Sequence, residues 1–308
     1  MGKTAFVFPG QASQFVGMGL DFYNRSTIAI KFYDYAEGIF DFPLKECSFY
    51  GPLKNLTETK VTQPAIFVHS LIVFEELKAK GCVPDMVAGH SLGEYSALAA
   101  AETLSFEDGL EMVKIRSEQM QIASQNHDGT MAAIVGLSYD KVKEVLNTSG
   151  FSGVCEIANY NSPTQIVISG EPHAVQPVML ELKNAGAKMA IELSVGGAFH
   201  SALMNEAREK LKEALDSTAF NSPKFPIYSN VTGTSTKDPT EIKDRLYQQL
   251  TSPVLWMDTI QNMIIDGVDF FLEVGPGKVL QGLIKRIAND IKIQGVSNFE
   301  DLKNFQWK

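Results

Sequence analysis

Met86-Val87-Ala88-Gly89-His90-Ser91-Leu92-Gly93-Glu94-Tyr95-Ser96-Ala97-Leu98-Ala99-Ala100-Ala101 is the stretch on which the fold of this chain turns. Its first residues read as the end of a buried strand, and the run after Gly93 reads as a helix with no breaker. Ser91 stands between them, with glycine two positions away on each side. That is the sequence form of a nucleophile elbow, a strand-to-helix turn at the carboxyl edge of a parallel sheet. The glycines answer a steric need, because neighbouring backbone passes close to so tight a turn. The N-terminus of the next helix directs positive potential at the hydroxyl. The expected fold is therefore α/β, with an α/β-hydrolase-like large domain on a parallel sheet.

Outward from the elbow, Lys3–Phe8 reads as a buried strand ended by Pro9-Gly10, and residues 11–19 as a Gly/Gln/Ser-rich loop. A helix is expected over 64–80, with Pro64 in its first turn and Gly81 at its end. Another is expected over 106–124, with apolar spacing through Leu110, Val113 and Met120. Between 130 and 195 the order changes: strand 131–136, helix 139–146, strands 154–159 and 165–169, helix 173–185 and strand 188–193. This is βαββαβ, the ferredoxin-like order, and it predicts an inserted small domain over 128–195 within a large domain of 1–127 and 196–308. Further on, a helix is expected after Ser201, then a strand at 225–231, helices at 241–250 and 253–265, a strand at 268–274, and a final helix from Val279.

At 308 residues the chain is long enough to bury such a core. A net charge of −9 argues against general nucleic-acid binding. No apolar run reaches membrane-spanning length, and no signal-peptide layout opens the chain, so no membrane association is expected. Cys47, Cys82 and Cys155 are scattered and odd in number, which fits reduced thiols and a cytoplasmic location. No His or Cys pair has metal-ligand spacing, so no metal is expected. Gly275-Pro276-Gly277-Lys278 looks like part of a phosphate loop, but Leu272 and Val279 stand where that motif needs Gly and Ser/Thr.

A serine nucleophile needs a base, and five histidines are available. His69 lies within an apolar helix, His127 and His173 read as solvated, and His90 is too close along the turn to face Ser91. His200 follows the glycine-rich Val195–Phe199 and precedes a helix, where positive potential keeps an imidazole neutral. A structural capping role is the alternative. No Asp or Glu stands out as a third member, which leaves a dyad oriented by an amide or a backbone carbonyl. Arg116 falls inside the apolar stripe of its helix, so it requires an anionic or dipolar partner. That partner is either a buried acid in a structural salt bridge or a substrate carboxylate held bidentately.

Taken in order, Phe6-Val7-Phe8-Pro9-Gly10-Gln11-Ala12-Ser13-Gln14, Thr62-Gln63-Pro64-Ala65, Gly89–Tyr95, Arg116, Asn159–Pro163, Ala198-Phe199-His200-Ser201 and Glu273–Gly277 resemble the malonyl-CoA:acyl carrier protein transacylases and the related polyketide acyltransferase domains. The resemblance covers nearly the whole chain. It implies Ser91 as the acyl-accepting nucleophile, His200 as the base, and the amides of Gln11 and Leu92 as the oxyanion hole. It further implies Arg116 as partner of the malonyl carboxylate and the main-chain carbonyl of Gln249 as the group that orients His200. Phe199 and Leu92 match the malonyl-selective pattern, and Asn161 falls among the substrate-binding residues. The implied reaction is ping-pong transfer from malonyl-CoA to the phosphopantetheine thiol of an acyl carrier protein, supplying fatty acid elongation. No tightly bound cofactor is expected, and a monomer is. Alternatives left open by the residues are a polyketide carrier as acceptor, a serine thioesterase or esterase, and a silent carrier-binding protein.

Overall fold

In the computed structural model, which describes residues 2–307, two sheets share the chain. The first contains β1 (Lys3–Phe8), β2 (Met86–Gly89), β7 (Ile227–Tyr228), β8 (Ser235–Thr236), β9 (Val268–Val274) and β10 (Lys292–Val296). Its order is β10-β9-β1-β2-β7-β8, parallel except for the last pair. β1, with Ala5, Phe6, Val7 and Phe8 all fully buried, lies in the middle, covered on both faces by helices. A near-continuous apolar run is what a parallel strand buried on two sides requires.

The second sheet is β3 (Thr130–Val135), β4 (Cys155–Ser162), β5 (Gln165–Gly170) and β6 (Met189–Glu192), antiparallel in the order β4-β5-β3-β6. With the helices Tyr139–Thr148 and Pro172–Asn184 it forms the expected βαββαβ insert. The helices cover one face through Val142, Leu146, Val175 and Val178, packed on Ile134, Ile166 and Ile168. The sheets are also joined outside both ladders: Val254 N–H donates to Ala158 O (2.8 Å) and Tyr160 N–H to Val254 O (2.9 Å). A strand of the insert is thus stitched to a loop of the large domain.

The structure corrects several expectations. The helix containing Pro64 runs Thr59–Ala79, so Pro64 lies in its interior. Proline there removes a donor to the carbonyl of Lys60, a residue that is only half-buried. The strand expected at 225–231 shrinks to two residues because the Asn230 side chain takes over the pairing with the end of β2. The helix expected from Pro253 begins at Trp256, since Val254 is engaged with β4. The Val279–Ile287 helix is followed by β10 and the Phe299–Asn304 helix. Between Leu20 and Leu56 four short helices fill a stretch for which no elements were expected.

Candidate active site

The elbow is where the sequence places it. Ser91 has φ 51°, in the left-handed region, and is carried between β2 and the Gly93–Ala100 helix. Its flanking glycines are sterically enforced. A Cβ on Gly89 would lie 1.8 Å from the Gly93 carbonyl carbon, and one on Gly93 would lie 2.0 Å from Phe8 O. His200 (φ 58°) is strained in the same way. Strain of this kind costs about 1–3 kcal/mol per residue and persists only where surrounding structure enforces it.

Ser91 Oγ lies 2.8 Å from His200 Nε2. His200 Nδ1 lies 2.9 Å from the carbonyl of Gln249, the last residue of the Pro239–Gln249 helix. A carbonyl can only accept, so Nδ1 carries the proton and Nε2 is left to accept from the serine. A helix C-terminus supplies this group without a carboxylate, because its last carbonyls have no partner within the helix. Burial first, and the Arg116 charge second, push His200 down to about 3, so the imidazole is a neutral base.

Arg116 reaches the same oxygen from the other side. Its Nη2 donates to Ser91 Oγ (3.0 Å) and to Gln249 Oε1 (3.0 Å), and Nη1 donates to Gln63 Oε1 (2.7 Å). The guanidinium is fully buried, stacks over Tyr95 at 5.4 Å, and makes no salt bridge among the described residues. It lies beside the serine, and its Nε has no hydrogen-bond partner among the described residues. A direct structural salt bridge, the alternative raised by its position in the apolar stripe, is therefore absent.

The cleft in front of Ser91 has a volume of about 300 Å³. Its large-domain side includes Gln11, His90, Phe199 and Leu280, and its insert side Met131, Asn161 and Val167. The amides of Gln11 and Leu92 donate to no acceptor among the described residues, which leaves both available to an oxyanion. Asn161 is engaged by His90, its Oδ1 2.8 Å from His90 Nε2, and so braces the elbow. His90 also packs edge-on against Trp256. His127 and His173 are exposed, as expected, and His69 is buried against Ser297 O. The phosphate-loop look-alike is closed to anions, because Glu273 caps the Val279–Ile287 helix through Leu280 N–H (3.0 Å) and Gln281 N–H (3.1 Å).

Three residues of the site escaped the sequence reading. Asn230 holds the elbow in place, taking Ser91 N–H on Oδ1 (2.7 Å) and giving Nδ2–H to Gly89 O (2.6 Å). Gln63 orients Arg116. Glu94, 3% exposed, accepts from Gln249 Nε2 (2.7 Å) and Asn230 N–H (3.2 Å). A polar side chain in a helix buried all round was the available signal for Gln63, and an isolated acid in an Ala/Leu run was the signal for Glu94.

Among the described residues no helix is long and apolar enough to cross a membrane, and no cluster of His, Cys, Asp and Glu is suited to a metal. The model of the acyl transferase domain family matches residues 5–300. A malonyl CoA-acyl carrier protein transacylase of Bacillus subtilis (strain 168) is 42% identical over 304 residues, covering 98% of this chain and 96% of that one. The crystal structure of an acyl carrier protein S-malonyltransferase from Vibrio cholerae superposes with a TM-score of 0.93 at 37% identity, covering 98% and 99% of the two chains. A malonyl-transacylase in complex with its holo type II polyketide synthase carrier protein gives 0.94 at 35% identity, covering 98% of each. A nucleophile elbow whose serine meets a neutral histidine and a buried arginine, together with these end-to-end likenesses, leads to one conclusion: the chain belongs to the acyl transferase family, among the malonyl CoA-acyl carrier protein transacylases.

Proposed function

We propose that this protein moves a malonyl group from malonyl-CoA to the phosphopantetheine thiol of an acyl carrier protein by way of an ester on Ser91. One observation carries the reading: Ser91 Oγ is hydrogen-bonded at once to a base, His200, and to a cation, Arg116. A hydrolase of neutral esters needs the first partner and has no use for the second.

In acylation, Ser91 Oγ attacks the thioester carbon while its proton passes to His200 Nε2. Charge develops on the carbonyl oxygen, and the amides of Gln11 and Leu92 receive it. The C–S bond then breaks, and the leaving sulfur of coenzyme A takes the proton from His200. Transfer to the carrier runs the same steps in reverse, with the pantetheine thiol giving its proton to His200. Arg116 exchanges its bond to Ser91 Oγ for the malonyl carboxylate, and Gln63 and Gln249 keep the guanidinium oriented. Phe199, on the cleft wall, crowds a methyl branch at the α-carbon, a discrimination of about 1–3 kcal/mol. Every residue in this scheme belongs to one chain, so a monomer suffices.

Arg116→Ala tests the scheme. Acylation by malonyl-CoA should fall roughly 100-fold, as expected for loss of a charged hydrogen-bond pair, while acylation by acetyl-CoA holds or rises. Equal losses for both donors, read by intact mass, would remove the carboxylate role. A polyketide carrier is a second acceptor to try, favoured by the carrier bound to the neighbour of TM-score 0.94. Offering fatty acid and polyketide carriers side by side shows which is loaded.

A further inference from the structure

Glu94 is buried beneath the elbow, and no step of the transfer uses it. It stands in the first turn of the Gly93–Ala100 helix, where the helix dipole favours a carboxylate. It does not touch Arg116. An amide separates them: Arg116 Nη2 donates to Gln249 Oε1 (3.0 Å), and Gln249 Nε2 donates to Glu94 Oε2 (2.7 Å). The amide has one workable orientation, because Nε2 also donates to Ser91 O (3.0 Å) and turning it over would set N–H groups against the guanidinium.

A fully buried guanidinium requires negative charge nearby. A carboxylate placed directly on it would occupy the fork that a substrate carboxylate must use. Placing the amide between them balances the charge with no carboxylate on the guanidinium, so that its bond to Ser91 Oγ (3.0 Å) can be exchanged for one to a substrate carboxylate. We propose that Glu94 is the counter-ion of Arg116, acting through the Gln249 amide, and that it takes a proton from solvent when a substrate carboxylate settles on Arg116. Glu94 Oε2 then goes on accepting both N–H groups while Oε1 carries the proton. This rests on Arg116 being the partner of the substrate carboxylate.

The groups facing Glu94 are consistent with such a switch. Arg116 comes from the Phe106–Asn126 helix, His200 shares Gln249 with it, and Tyr95 follows it on the elbow helix. Burial pushes Glu94 up to about 7, opposed by its bonds from Gln249, Asn230 and the Ser229 hydroxyl and by the Arg116 charge. A second anion beside Arg116 offsets that charge and drives the value higher, so above neutrality the carboxylate binds a proton as the ligand enters.

Malonate, fully ionised at pH 8, serves as the probe. Titration calorimetry in buffers of different ionisation heat should show wild-type protein taking up more than about half a proton per malonate, and Glu94→Gln taking up none. Malonate affinity of the wild type should weaken up to tenfold per pH unit above about 7, and that of Glu94→Gln should be independent of pH. Infrared difference spectra with ¹³C-malonate, which displaces the ligand's own bands, should show a protonated carboxyl appearing in the wild type and not in Glu94→Gln. The wild-type spectrum decides the matter even if the variant does not fold. Malonate binding with no proton uptake, or equal uptake in both proteins, overturns the counter-ion role and leaves Arg116 as the clamp. Malonate binding that is unchanged by Arg116→Ala overturns both.

Discussion

The two sheets of this molecule solve different problems. At the carboxyl edge of the parallel sheet, Ser91 and His200 sit at positive φ, and Arg116, Gln63, Glu94, Asn230 and Gln249 bury their polar groups against one another. The antiparallel insert pairs β3 with β5 and β6 in unbroken register, with register shifts confined to β4, and its core is the aliphatic contact of Ile134, Ile166 and Ile168 with two amphipathic helices. One region accepts strain and desolvated charge to hold reacting atoms in place. The other is ordinary packing that supplies a wall. The lesson is that chemistry here lives in the buried polar network, and the insert adds shape and enclosure.

Breaking the network at its centre should have the largest effect. Ser91→Ala removes the one oxygen among the described residues that meets both His200 and Arg116, and turnover should drop by roughly 10⁶, as when a catalytic serine is lost elsewhere. Intact mass after malonyl-CoA should show no adduct, and an adduct that persists would place the acyl group on another residue.

Asn230→Ala removes no reacting group but frees the Ser91 amide and the Gly89 carbonyl from their brace. A loss of 10- to 100-fold in kcat is expected from misplacement of the serine, with a stability loss of about 1–3 kcal/mol from unpaired buried groups. An unchanged kcat alongside a lower Tm would mean the brace serves folding alone.

The pH profile sharpens the contrast further. His200 is a base whose value is lowered to about 3, so it is neutral and competent throughout the range above that. An imidazole of ordinary value near 6.5 would lose about tenfold in acylation rate between pH 7.5 and 5.5. Single-turnover acylation at saturating malonyl-CoA should instead stay within about twofold over that interval, because the protonated imidazole becomes populated only near pH 3. A limb near 6.5 would show that the histidine is better solvated than the structure has it.

The smallest effect on turnover belongs to the insert. Ile168→Ala, at a fully buried site, should cost about 2–5 kcal/mol of stability. Turnover per folded molecule should change by less than about twofold. A large change in kcat would mean that the aliphatic core of the insert sets the geometry of the reacting atoms.

The same division explains what the sequence made legible. Periodicity and glycine placement are local signals, and they located the elbow, the βαββαβ insert and the anomalous Arg116. The Gln249 carbonyl was reached through family resemblance, since a main-chain acceptor leaves no mark in composition. Asn230 was passed over because it stands at the end of an apolar run and reads as a strand terminus. Its importance arises only when β7 and β2 become neighbours. Glu94 obeys the reasoning that exposed Arg116, a charge among apolar residues, but the motif around it drew attention to the serine alone. Of the helices between Leu20 and Leu56, three have four to six residues, too few for a period to declare itself, while Thr27–Glu37 carries one in Ala29, Tyr33 and Ala36 that its small and aromatic residues make faint.

The stitch between Val254 and β4 has a mechanical consequence. Gln249, whose carbonyl aims His200, lies five residues before Val254, and Leu255 N–H is tied to Asn230 O (2.8 Å). The short link from 249 to 255 is therefore anchored to the base at one end, and to both the pocket wall and the serine's brace at the other. Wall, base and nucleophile are mounted on a common bracket. An acyl group wide enough to pry the insert outward would drag the histidine's support with it, so poor fit is answered in rate as well as in affinity.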